Sequence, residues 1–374
     1  MSLKQEEVWI MPQKKPKVYM IGPSLKTQGG ISSVLDIYSR NFRETLNLRF
    51  ISSYYGRSRI LDVALFAGAL FRVLWASLFS INPIFHIHVA SKGSFLRKSI
   101  LSRICLIFRH RLILHVHGAM FDQFIENSTP KKKKKIIALL NRADRIIVLS
   151  GSWFSFFEKY VPGERLRIIY NPSSTYGSGQ FKVYKTGNAQ TDIRPVMQVL
   201  FMGRFGPRKG VYDLISAAAK LREVPFKLNM FGDGEIEKVK ELVEKENLTE
   251  KISVSGWVSH SKIREIYENS DIMVLPSYAE GLPMSILEAI GEGLPVVSTR
   301  VGGIPEAIED GRNGFLIEPG DVEALADRLR ILMTSPELVG RMGRESLAIA
   351  REKFSTERIG QKLQELYEEM EGHL

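Results

Sequence analysis

The sequence predicts an α/β protein of two Rossmann-like, doubly wound domains, and three observations predict it. Apolar runs of strand length alternate with helix-length segments along most of the 374 residues. The alternation breaks once, at 173–194 (SSTYGSGQFKVYKTGNAQTDIR), a stretch rich in Ser, Thr, Gly, Gln and Asn and poor in aliphatic residues, as an interdomain linker would be. Beyond it the alternation restarts. Strands that alternate with helices form parallel sheets, so the expected domains are 1–172 and 195–354.

Composition narrows the classes. With 44% hydrophobic and 25% charged residues the chain is ordinary for a soluble globular protein. Its single cysteine, Cys105, excludes an intrachain disulfide framework and any cysteine-based zinc cluster, and its apolar setting (RICLIF) suits a buried thiol. The formal net charge of +11 favours an anionic partner: nucleic acid, an acidic membrane surface or a phosphorylated substrate. The first sixteen residues are polar and lysine-bearing, without the apolar core of a secretory signal, so the cytoplasm is the expected compartment. Residues 61–79 approach the length of a membrane span, but Asp62 and Arg72 interrupt them. They read as a buried or interface-lying helix of a soluble protein.

In the first half, strands are expected at 17–22, 49–53, 84–89, 111–116, 145–149 and 166–170. Gly29 and Gly30 precede a helix at 32–42, where backbone can approach a ligand or simply turn tightly. A helix at 94–108 carries Arg97, Lys98 and Arg103, with Arg109 just beyond, among Phe95, Leu96, Ile100, Leu101, Leu106 and Ile107. Cations beside apolar residues at helical spacing suit contact with anionic lipid; a helix packed on the sheet with a solvated basic face is the plainer alternative. Five lysines, Lys131 to Lys135, precede an apolar helix and offer a second basic surface for a membrane or a polyanion. His117, followed by Gly118 at a strand's C-terminal end, points toward a ligand crevice. His86, His88, His110 and His115 read as core or sheet-face residues, since no carboxylate completes a metal-ligand set; no metal is expected.

In the second half, strands are expected at 196–202, 226–231, 251–255, 271–276, 296–298 and 315–317, with helices at 211–222, after Gly234, at 261–269 and 284–292, and from the last strand to the end. The loop Gly203-Arg204-Phe205-Gly206-Pro207-Arg208-Lys209-Gly210 follows a strand and opens a helix. Arg204 and Lys209 beside glycines and a helix start suit a diphosphate, held by backbone N–H groups, a guanidinium fork and a point charge. It is neither G-x-G-x-x-G nor a Walker loop, because Lys209 is followed by glycine. Further on, Glu280 and Glu288 stand eight apart across a strand–loop–helix junction, where carboxylates can accept from sugar hydroxyls.

The order Gly203-Arg204…Lys209-Gly210, Gly256-Trp257-Val258, Glu280-x7-Glu288 with Glu280-Gly281-Leu282-Pro283, then Gly302-Gly303-Ile304-Pro305-Glu306 resembles the retaining glycosyltransferases of family 4. The resemblance runs through nearly all of 196–374 and is thinner in the first half, where it rests on Gly29-Gly30 and His117-Gly118. It implies the GT-B architecture, with a terminal segment 355–374 that crosses back to an acceptor-binding first domain. It also implies roles. Arg204 and Lys209 would neutralise the donor diphosphate, and Glu288 would bind the ribose hydroxyls. Glu280 and His117 would contact the transferred sugar. Gly281, Leu282, Pro283 and Met284 would hold sugar and phosphates through their backbone, with Ser285 assisting. Val258 would meet the base, and Gly29 and Gly30 would close over the phosphate.

The implied reaction is retaining transfer from a nucleoside-diphosphate sugar, UDP-linked before GDP-linked, to a glycan or lipid-linked acceptor in envelope or exopolysaccharide synthesis. No cofactor or metal is expected. The basic surface around Arg97, Lys98, Arg103, Arg109 and Lys131 to Lys135 adds peripheral contact with the inner membrane face. The rivals are a nucleotide-sugar epimerase of the same architecture, for which a second acid–base set is not evident, and a basic nucleic-acid- or membrane-surface-binding protein. Nucleic acid is not expected as a partner: no recognised motif for it appears, and the acidic pair would repel a phosphate backbone.

Overall fold

The computed structural model describes residues 15–56, 58–173 and 196–372. The first domain comprises β1 (Val18–Gly22), α1 (Gly30–Asn41), β2 (Leu48–Ser52), α2 (Arg59–Phe79), β3 (Ile84–Val89), α3 (Gly93–Ile107), β4 (Arg111–Val116), α4 (Phe121–Glu126), α5 (Pro130–Leu140), β5 (Arg145–Val148), α6 (Gly151–Glu158) and β6 (Leu166–Ile168). The second comprises β7 (Met197–Met202), α7 (Val211–Ala219), β8 (Phe226–Phe231), α8 (Ile236–Lys245), β9 (Ile252–Ser255), α9 (His260–Glu268), β10 (Ile272–Leu275), α10 (Met284–Gly291), β11 (Val296–Thr299), α11 (Ile304–Ala307), β12 (Gly314–Ile317), α12 (Val322–Met333) and α13 (Pro336–Phe354), and α14 (Thr356–Glu371) follows.

Each domain holds a six-stranded sheet, in the orders β2-β1-β3-β4-β5-β6 and β12-β11-β10-β7-β8-β9. The pairings are parallel throughout. The central strands β3 and β10 are buried along their whole length; β10 reads as an unbroken apolar run, and β3 alternates apolar residues with the buried His86 and His88. The strand order reverses between β1 and β3 in one sheet and between β7 and β10 in the other. Ligand crevices open beyond the carboxyl ends of strands at such reversals. The loops in question carry Gly29 and Gly30 after β1, residues 203–210 after β7 and 277–283 after β10.

The terminal helix α14 contacts the first domain, as expected. Its start is capped by Ser355, whose hydroxyl accepts from Arg358 N at 3.2 Å. At its far end the Tyr367 hydroxyl pairs with His86 Nδ1 at 2.8 Å, and Glu369 Oε1 accepts from Arg145 and Arg167, each at 2.6 Å. Its apolar face, Ile359, Leu363, Leu366 and Met370, joins one continuous core with α1, β1 and the second domain. The other face of the first sheet has its own core, to which α2, α3, α5 and α6 contribute.

Several readings of the first half need correction. Lys98 does not face outward: it is 3% exposed, its ammonium donates to Ser53 Oγ, and burial, reinforced by Arg97, lowers its pKa to about 7. Arg97 stacks over the Tyr54 ring at 4.4 Å. The five lysines form the first turns of α5 instead of preceding it, with Pro130 at the helix start. Two helices, α4 and α6, are additional to those read from the sequence. Of the two readings of α2, buried or interface-lying, the buried one fails: Phe71, Leu74, Trp75, Leu78 and Phe79 are all solvent-facing. Past Ser173, the expected linker lies outside the described residues.

Candidate active site

A cavity of about 420 Å³ lies between the domains. Gly29, Gly30 and His117 line it from the first domain, and Arg204, Lys209, Val258, Glu280, Gly281, Leu282, Pro283, Met284, Ser285 and Glu288 from the second. Every candidate site residue named from the sequence is thus brought to one place.

The basic loop is held there by its last glycine. Gly210 sits at φ 65°, and a Cβ on it would fall 1.9 Å from the Pro276 carbonyl. Only glycine allows that approach, which sets the 203–210 loop against the end of β10. The contact is secured by Tyr278 N donating to Arg208 O and by Arg208 Nη1 donating to Ala279 O, both at 2.8 Å. Glu280 lies beneath, 5% exposed. Its Oε1 accepts from Ser277 Oγ at 2.7 Å and from the Lys209 ammonium, and its Oε2 lies 3.6 Å from Arg208 Nη1. A buried carboxylate needs such partners to remain charged. Arg204 stays at the mouth, with its side chain 68% exposed and Nη1 3.4 Å from Asp233 Oδ2.

Glu288 lies one helical turn into α10 and is 7% exposed. Its Oε2 accepts from the Tyr267 hydroxyl at 3.0 Å, and that hydroxyl lies 3.1 Å from Ser285 O. Burial pushes the Glu288 carboxyl up to about 7, against the downward pull of the Tyr267 bond. The helix begins at Met284, and Pro283 O accepts from Ile286 N at 3.1 Å and Leu287 N at 3.3 Å, so the N–H groups of Met284 and Ser285 precede the first helical bonds and lie where an anion would be favoured.

On the opposite wall, β3 and β4 place His86, His88, His115 and His117 side by side. His117 Nε2 lies 2.8 Å from His88 Nδ1, and His88 Nε2 lies 3.1 Å from Met20 Sδ. A thioether has no proton to give, so His88 carries its proton on Nε2. His88 Nδ1 then accepts from His117 Nε2–H, and His117 keeps Nδ1 as an acceptor. Burial holds His117 neutral by lowering its pKa to about 3, and it does the same to His86. The ring nitrogens of His86, His88 and His115 lie within 4.8 Å of one another, a spacing that could hold a metal ion. Yet His86 bonds to Tyr367 and to His115 Nδ1 at 3.1 Å, and both His88 nitrogens are engaged as described. Within the cluster only His115 Nε2, buried, is left without a hydrogen-bond partner among the described residues.

The Gly302–Glu306 motif proves to join the domains. Gly302 has φ 55°, and a Cβ there would meet the Glu280 carbonyl at 1.9 Å, so it packs directly behind the Glu280 loop. Glu306 accepts from Gly151 N at 2.7 Å and from the Tyr170 hydroxyl at 2.8 Å, and Ser152 Oγ donates to Gly302 O at 2.9 Å. Asn171 Nδ2 donates to Leu282 O at 2.8 Å, which ties the end of the first domain to the loop that carries Glu280.

Sequence reasoning passed over Arg208, Asp233 and Tyr267. Arg208 stands inside the basic loop and Asp233 between Gly232 and Gly234, so both were visible as charges at strand ends. Nothing local marks Tyr267: its aim at Glu288 depends on how α9 packs against α10.

The comparisons agree with this geometry. The family described as glycosyl transferases group 1 matches residues 194–347. The N-acetyl-alpha-D-glucosaminyl L-malate synthase of Bacillus anthracis is 27% identical over 292 residues, 76% of this chain and 74% of that protein. A putative colanic acid biosynthesis glycosyltransferase of Salmonella typhimurium is 30% identical over 278 residues, 70% of this chain and 64% of that protein. The crystal structure of Anabaena Alr3699/HepE in complex with UDP-glucose superposes with a TM-score of 0.72 at 20% identity, covering 96% of this chain and 100% of that one. With two parallel six-stranded α/β sheets facing one cleft and a terminal helix returning to the first, the chain has the GT-B fold, and its second domain is similar to the glycosyl transferases group 1.

Proposed function

We propose that the chain is a retaining hexosyltransferase that moves a sugar from a UDP-sugar to a hydroxyl of a glycan or lipid-linked acceptor in envelope or exopolysaccharide synthesis, without a metal ion. One observation carries the reading: Lys209 and Glu280 form an ion pair on the cavity wall, with Arg208 beside them, Arg204 at the mouth and Glu288 deeper along the same wall. The cations suit a diphosphate and the carboxylates suit hydroxyls, so one nucleotide sugar would engage both ends of that row. Similarity to proteins named for UDP-glucose binding and for colanic acid biosynthesis supports the donor and pathway class.

In this reading the acceptor oxygen bonds to the anomeric carbon as the carbon–phosphate oxygen bond breaks, and the acceptor's proton passes to the departing diphosphate on the same face. Lys209, Arg208 and Arg204 stabilise the charge that grows on that diphosphate, work that a divalent cation does elsewhere. His117, neutral and with Nδ1 as acceptor, receives a hydroxyl proton of the sugar in a hydrogen bond. A panel of nucleotide sugars read by melting temperature tests the proposal, because a ligand that binds only the native state raises the midpoint. A UDP-sugar should raise it with chelator present, and Lys209→Ala should abolish the shift. A panel with no response, or a response only with added divalent metal, would overturn it.

A further inference from the structure

We infer that the outer face of α2 and α3 docks on an anionic lipid bilayer. Both helices carry large apolar side chains on their outer faces. Helix α3 buries Phe95, Leu101 and Cys105 together with Lys98, Ser99 and Ser102, and turns Leu96, Ile100 and Ile107 outward. Helix α2 buries small residues, Ala69, Val73, Ala76 and Ser77, and presents Phe71, Trp75 and Phe79 at successive turns. Trp75 and Phe79 pack against each other with ring centroids 4.4 Å apart and ring planes tilted by 42°. Packing on the sheet therefore leaves the larger apolar side chains in water. A contiguous apolar surface of that kind marks an interaction site.

Charge selects the occupant. Residues 40–110 contain eleven Lys and Arg against two acids, Glu44 and Asp62, so most of the chain's +11 resides in the segment that carries these helices. Asp62 is occupied in capping the backbone at Tyr55 and Gly56. Between α2 and the β1–β2 edge lies a groove of about 540 Å³, in which Lys17, Arg43, Arg49 and Arg72 surround Phe71 and Trp75. No acid lines it. Aromatic and aliphatic side chains ringed by arginine and lysine suit the headgroup level of an anionic membrane, where the rings enter the interface and the cations meet phosphates. A second copy on the same face would bring these cations together. The surface differs from the one suggested by the sequence, since Lys98 is internal and Arg97 is committed to Tyr54.

The inference goes beyond the donor reading, and its test needs no donor. Full-length protein is floated with vesicles of phosphatidylcholine alone or mixed with phosphatidylglycerol, at low and high salt. Binding should require phosphatidylglycerol and weaken with salt. Trp75→Glu with Leu78→Glu, both exposed positions, should abolish flotation, and Arg49→Ala with Arg72→Ala should weaken it roughly tenfold or more. Lys131→Ala with Lys134→Ala on α5 should leave it intact. The melting shift given by a UDP-sugar should be the same in all variants, which separates a failed dock from a failed active site. Wild type that stays unbound would overturn the inference. So would flotation that survives the α2 changes but not the α5 changes, or a wild-type dimer that Trp75→Glu dissociates.

Discussion

In the second domain charge is drawn inward: Glu280 and Glu288 are 5% and 7% exposed, and each is met by a partner from another loop or helix. In the first domain the outer helices invert the arrangement, with Leu96, Ile107 and Trp75 in water and Lys98 inside. Both arrangements cost folding energy, because buried charge loses hydration and exposed apolar surface forgoes burial. Structure that gives up stability in this way is commonly retained for what it binds. The contrast assigns nucleotide-sugar chemistry to one domain and partner contact to the other.

The largest effect that can break the contrast is at Glu280. Glu280→Gln keeps an oxygen for Ser277 but removes the charge that faces Lys209. Sugar transfer should fall by roughly 10²–10³-fold, the range seen when one well-placed transition-state contact is lost. Transfer and donor hydrolysis at the wild-type rate in the purified variant would remove Glu280 from the reaction.

Next is Lys98, the one cation that the first domain buries among the proposed membrane residues. Its folded pKa of about 7 lies below the ordinary 10.5. Below pH 7 both states carry the proton and the full burial penalty applies. Between 7 and 10.5 the native state sheds the proton while the unfolded state keeps it, so stability rises by up to about 1.4 kcal/mol per pH unit. Lys98→Met removes the penalty, and Ser53 Oγ still donates to Gly22 O at 2.9 Å. Urea unfolding should show the variant more stable than wild type at pH 6 and nearly equal at pH 10. A gap that does not narrow with pH would mean that packing, not ionisation, sets the cost of Lys98.

The same contrast explains what was legible in the sequence. The strands of both sheets could be read because parallel strands buried on both faces are rich in apolar residues, continuously so in IMVL and interrupted only by buried histidines in IFHIHV. The donor wall could be read because its residues fall at strand ends and helix starts in short contiguous motifs, so chain order nearly reproduces spatial order. Helix α3 defeated the reading because apolar residues surround it. Arg97 and Lys98 are neighbours that a helix turns about 100° apart, and which of them enters the core depends on where Ser53 sits. Tyr267 was hidden for the same reason, its role being fixed by the packing of α9 against α10. Glu306 stood in a motif that suggested the ligand, yet it holds Gly151 and Tyr170 across the domain boundary.

The finest test concerns Glu288, where the inward charge of the second domain is only partly ionised. Burial raises its carboxyl to about 7 from an ordinary 4.5. The native state therefore holds a proton between those values that the unfolded state has lost, and this group's contribution to stability declines as pH rises across that window. Ribose hydroxyls donate to a carboxylate and stabilise its charged form. Nucleotide binding near pH 6 should consequently expel up to about one proton, and affinity should climb by at most about tenfold per pH unit until it levels above 7. Calorimetry in buffers of different ionisation enthalpy measures that proton directly. Glu288→Gln should erase the buffer dependence while the melting shift from a UDP-sugar weakens without vanishing, because the cations around Lys209 still hold the diphosphate. A wild-type protein that releases no proton on binding would place the ribose elsewhere and leave Glu288 as a buried partner of Tyr267.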